Sequence, residues 1–150
     1  MKKMKGLFIV MSLMATLTVS AQEYKVVTIV ESIVPMGLGR SRIVDAQGTM
    51  DVNALTTVRE GKKSKQDEVD REDVKEGGLN LKETKLLNFY SMMGINFGNV
   101  ASNDAVIAAK INEVVKEGWS VAFITSGVES DAGKDDSKGI FITRIFFVKK

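Results

Sequence analysis

The chain contains no cysteine and no histidine. Without them there is no thiolate nucleophile, no Ser-His or Cys-His relay, and none of the imidazole and thiolate ligands from which ordinary zinc sites are built. No disulfide is available, so stability must come from packing. Proline occurs once, at Pro35, and tryptophan once, at Trp119. Long apolar runs are missing too. The longest, over residues 7–19, falls short of the roughly 20 residues a helix needs to cross a bilayer.

The N-terminus carries a different signal. "MKKMKGLFIVMSLMATLTVSAQ" joins a basic start at Lys2, Lys3 and Lys5 to an apolar run and then to Ser20 and Ala21, the arrangement of a secretory signal peptide over residues 1–21. Val19 and Ala21 fit small-x-small cleavage, which predicts a mature chain beginning at Gln22. No cysteine follows the leader, so lipid attachment is not expected, and no stable membrane anchor remains after cleavage. The expected destination is the periplasm or the medium. Removing the three leader lysines turns the formal net charge of +2 into −1. The basic character belongs to the leader, and a nucleic-acid partner loses its electrostatic support. Residues 22–150 suit one domain with a sizeable core.

"EYKVVTIVESIV" is rich in β-branched residues and predicts a long first strand over residues 23–34. Pro35, Gly37 and Gly39 interrupt it, "RSRIVDA" resumes an extended pattern, and the two runs predict a hairpin. "DVNALTTV" reads as a third strand, with a short helix as the alternative. Residues 59–78 hold six basic and seven acidic side chains and almost nothing apolar. They predict a solvated, mobile excursion with a transient helix around residues 67–75. "LKETKLLNFYSMMG" spaces Leu86, Leu87, Tyr90 and Met93 as on a helix that Gly94 stops. "SNDAVIAAKINEVVKEG" predicts a second helix, capped at Ser102, Asn103 or Asp104, with Ile107, Ile111, Val114 and Val115 on one face and Gly118 at its end. "WSVAFITS" and "GIFITRIFFV" close the chain as an antiparallel pair.

These elements predict an α+β fold: an antiparallel sheet built from strands near both ends of the chain, with two helices packed on one face. The last strand is apolar on both sides, so the face away from the helices needs cover from elsewhere in the chain or from another subunit.

"YKVV" at residues 24–27, "INEVVKEGWSVAF" at 111–123 and the basic-ended last strand at 140–150 resemble a family of short bacterial domains of unknown function. In that family Tyr-Lys-Val-Val comes first and Glu-Gly-Trp-Glu-Leu follows a helix. Ser120 stands where those domains commonly have an acid, and their short members lack the long insertion found here between Thr28 and Asp104. The whole mature chain resembles exported bacterial proteins of unknown function that carry "SIVPxGLGRSR", "ETKLLNFYS" and "GINFxN". The resemblance implies the fold class and carries no catalytic residue.

Candidate sites are few. "PMGLGRSR" over residues 35–42 lacks the third glycine and the following helix of a dinucleotide fingerprint. Its glycines predict a turn, with Arg40 and Arg42 on one strand face as ion-pair partners or as grips for an anion. Glu129, Asp131, Asp135 and Asp136 lie close in sequence, but Lys134 and Lys138 intrude and the spacing is not that of an EF-hand. Glu31 and Arg144, each embedded in an apolar strand, are expected to pair. Trp119 is expected in the core. Phe89, Tyr90 and Phe97 form the candidate surface for a protein partner. No cofactor or metal site is indicated. The expected role is a non-catalytic interaction or assembly module of the cell envelope, with protein binding or self-association. The alternative is a carboxylate-dependent hydrolase of an envelope polymer.

Overall fold

A computed structural model of the chain describes residues 21–32, 40–76, 78, 80–91, 93–128 and 139–150. Its elements are β1 (Glu23–Ser32), β2 (Arg42–Ala46), α1 (Arg71–Glu76), β3 (Leu81–Lys85), β4 (Tyr90–Ser91), β5 (Gly94–Ile95), α2 (Phe97–Lys116), β6 (Ser120–Val128) and β7 (Ile140–Lys149). Five strands form one antiparallel sheet in the order β3-β2-β1-β7-β6, and β4 and β5 make a separate ribbon. The fold is therefore α+β with an antiparallel sheet built from strands near both ends of the chain, as the sequence predicts, and β1 and β7 lie side by side within it. Their register pairs Val27 with Ile145 and Lys25 with Phe147.

Because successive strand side chains alternate between faces, that register decides what lies under the helix. Val27 and Ile29 of β1, Ile43 of β2, and Ile145 and Phe147 of β7 form the buried core with Leu86 and Val114, and Val106, Ile107, Ile111 and Trp119 pack against them. On α2 the inward stripe runs Asn103, Ile107, Lys110, Ile111, Val114, the spacing of one helical face. Val115, expected on this face, turns about 80° from Ile107 at 100° per residue and is exposed. Lys110 occupies the stripe instead.

Three sequence expectations are corrected. The segment read as the first of two covering helices is strand and ribbon: residues 81–85 pair with β2 as β3, and residues 90–95 form β4 and β5. Its charged opening "LKETK" pairs with the edge that β2 already offers, and this outweighs the helical spacing of the residues that follow. One long helix thus covers the sheet, and the described side chains of α1, within the charged excursion, are exposed. "DVNALTTV" is a turn rather than a strand, folded by Asp51, whose carboxylate accepts the Asn53 amide at 2.9 Å, and by a Leu55-to-Val52 backbone bond. Finally, α2 begins well before the predicted caps. Asn96 is its N-cap, accepting the Asn99 amide at 3.2 Å.

The other end of α2 follows the sequence closely. Gly118 has φ +91°, its amide bonds the Val115 carbonyl, and the Trp119 amide bonds the Val114 carbonyl, the paired bonds of a Schellman motif. Lys149 of β7 donates to the Glu117 carbonyl at 3.1 Å and lies 5.6 Å from the Trp119 ring centre. The final turn of the helix is thereby tied to the last strand.

Candidate functional site

Two polar devices hold α2 on the sheet. At one end, Asp45 is buried two positions beyond Ile43, on the same face of β2. Lys110 reaches it from the helix at 2.8 Å and Lys25 from β1 at 3.2 Å. Glu113 and Glu117 stand at 3.4 Å from Lys110 and 3.8 Å from Lys25 at the rim. Both Asp45 oxygens are buried, and the two ammonium groups balance their charge, one at each oxygen. Burial pushes the Lys110 pKa down, but the hydrogen bond and charge of Asp45, aided by Glu113, outweigh it and leave the pKa raised. Beside this cluster the helix–sheet gap, lined by Ile29, Ile107, Ile111 and Phe147, has no room for a water.

At the other end the asparagines of "NFGNVASN" act on the chain between β3 and β4. Asn103 accepts the Leu87 amide at 2.8 Å and donates to the Leu87 carbonyl at 2.7 Å, filling both backbone valences as a neighbouring strand would. It also donates to Glu31 at 3.0 Å. Asn99 donates to the Asn88 carbonyl at 2.7 Å. Ser41, itself buried, accepts the Ser32 amide at 2.9 Å and donates to the Asn88 side chain at 2.6 Å. This network fixes the irregular segment without regular secondary structure.

The expected Glu31–Arg144 pair does not form. Glu31 lies opposite Phe141 and Arg144 opposite Thr28, so the two side chains project from opposite faces. Arg40 and Arg42 do not converge on a built anion site: Arg40 is exposed, and Arg42 pairs with Glu83 across β2–β3 at 2.6 Å. Gly37, Gly39 and the acidic residues 129–136 lie outside the described residues. Among the described residues no group of three or more acidic, histidine or cysteine side chains could hold a metal ion.

The proposed partner surface is split. Phe89 packs its ring 5.7 Å from Phe141, half-buried, whereas Phe97 is 76% exposed at the start of α2. Tyr90 contributes its backbone to the β4–β5 ribbon. Exposed Met93 and Ile95 continue the apolar surface on that ribbon.

A larger surface was missed in the sequence. β6 is an edge strand whose nine residues, "SVAFITSGV", are all exposed and uncharged. Ile124 and Val128, 55% and 59% exposed, lie on the helix side beyond the reach of α2. On the other side Phe123 stacks on Phe146 with ring centres 4.2 Å apart, beside exposed Tyr24 and Val26 and half-buried Val30, Ile142 and Val148. The opposite edge differs: β3 carries Lys82, Glu83 and Lys85, the charges that discourage edge pairing. The available signal was the lack of any charge in β6, which a reading for core strands treats as burial. No family model, curated protein or solved structure matches this chain.

Proposed function

We propose that this protein is an exported, non-catalytic module that assembles with a protein partner in the cell envelope. The observation that carries this reading is the uncharged edge β6, exposed along its length and flanked by the Phe123–Phe146 stack. Such an edge offers unpaired backbone donors and acceptors together with apolar side chains, the combination used in strand addition between chains. The state of the carboxylates supports it as well. Asp45 is held between two lysines, Glu31 by Asn103 and Glu83 by Arg42, which leaves these acids committed to structural partners. A hydrolase needs an acid and a base free to face a substrate.

The export half of the reading rests on the leader sequence. N-terminal sequencing of the protein recovered from the periplasm or medium should begin at Gln22. Recovery of the intact leader in the cytosol would remove it. For the binding half, a photo-crosslinking residue replacing Phe123 should give protein adducts in intact cells, while the same residue replacing exposed Val74 of α1 should not. Absence of adducts from position 123, or glycan cleavage by the purified protein, would defeat the proposal.

A further inference from the structure

We infer that the occupant of the β6 edge is a second copy of this chain, paired antiparallel about a twofold axis to make a continuous ten-stranded sheet. The inference rests on the assembly reading above and names its partner. Three features of the edge select a copy of itself.

Charge is the first. A strand with no charged residue meets its own copy without opposing like charges, whereas β3, with Lys82, Glu83 and Lys85 within five residues, would set charges across any edge contact. Of the two sheet edges, only β6 is chemically suited to isologous pairing.

Register is the second. The irregularity between Val121 and Phe123 limits the regular part of β6 to residues 123–128. Within it, Ile124 and Val128 share the helix side, because they lie opposite Ile145 and Phe141. A twofold at Ser126 sets Ile124 of each copy opposite Val128 of the other, so the two most exposed apolar side chains of that side cover one another twice. Facing residues in a sheet share a face, and this register satisfies the requirement over residues 124–128, which face their own copies within the described strand.

Cover is the third. The axis is perpendicular to the sheet, so both α2 helices remain on one side and flank the apolar strip that neither reaches alone. On the far side the two Phe123–Phe146 stacks join a common surface. The five facing residues span only about 17 Å, so the strand contact is small, which fits a reversible dimer rather than a permanent one.

The test uses protein purified from cells expressing the full chain. Light scattering across a dilution series should give a mass rising from monomer toward dimer with concentration, and hydrogen exchange should show β6 amides gaining protection over the same range. Ile124→Lys, at a half-exposed position that contributes little to the monomer core, should weaken dimerisation at least tenfold. Gly127→Val should tighten it several-fold: a Cβ there meets no atom within 4 Å, and a β-branched residue favours the strand. Circular dichroism of each variant verifies the fold. A monomer at every concentration up to about 1 mM, a dimer indifferent to Ile124→Lys, or a dimer with unprotected β6 amides would overturn the inference. If position 123 crosslinks to a different protein while the purified chain stays monomeric, the second copy is wrong and the assembly reading survives. If nothing crosslinks at all, both fall.

Discussion

At the scale of single residues, the molecule concentrates its risk in Asp45. Its carboxylate is buried, and two lysines from different elements converge on it. Removing it strands both ammonium groups against an apolar core, so Asp45→Ala should lower unfolding stability by about 3 kcal/mol or more, measured in urea. Replacing all three charges together, with Lys25→Met and Lys110→Met added, should recover most of that loss, because no uncompensated charge then remains. The pH dependence follows from Lys110. Its pKa is raised by Asp45 and Glu113 against the opposing effect of burial. A raised folded-state pKa contributes stability that is full below the unfolded lysine value of about 10.4 and is lost as pH climbs through the higher folded value. Unfolding stability should therefore decline above about pH 10, and Lys110→Met should remove that group's share of the decline.

At the scale of elements, the joints of α2 matter more than its interior. Asn103→Ala deprives the Leu87 amide and carbonyl of partners and leaves Glu31 without its amide donor. A cost of about 2 kcal/mol is expected, seen as a lower thermal midpoint. At the C-terminal joint, Gly118→Ala should cost about 1 kcal/mol in the same assay, because φ +91° strains any side-chain-bearing residue. Much of this end was readable. Gly118 follows a strong apolar periodicity, and a glycine there has few other uses. The N-terminal joint was not. Asn96, Asn99 and Asn103 sit in a stretch that also offers Ser102 and Asp104, and sequence supplies several equivalent caps. Which asparagine caps and which goes inward depends on where the β3–β4 segment passes, a contact between positions 16 residues apart.

Across the whole molecule, the two faces of the sheet carry different loads. Phe147, completely buried beneath α2, should cost about 3–5 kcal/mol when changed to Ala. Phe123, 53% exposed on the uncovered face, should cost far less as Phe123→Ser, within about 1 kcal/mol in urea unfolding. A comparable loss at both positions would mean that the chain itself covers the second face. The sequence alone showed that this face needs cover, since β7 is apolar on both sides. It did not reveal that, among the described residues, no strand pairs with the adjoining edge. Neighbour order is a property of the assembled sheet, and an uncharged strand looks the same in sequence whether it lies at the centre or at the rim.

What the amino-acid order determined by itself was local: the strands at both ends, the helix stop at Gly118, the solvated charge run, and the excluded imidazole and thiolate chemistry. These follow from composition, periodicity and backbone preference within a few residues. Tertiary structure alone decided that "LKETK" joins the sheet, that Asp45 and Lys110 meet in the interior, that Glu31 and Arg144 face away from each other, and that β6 is the last strand of the described sheet. Each of these turns on strand register or strand order. Both are set by burial summed over the whole sheet, where one residue of slip exchanges the two faces.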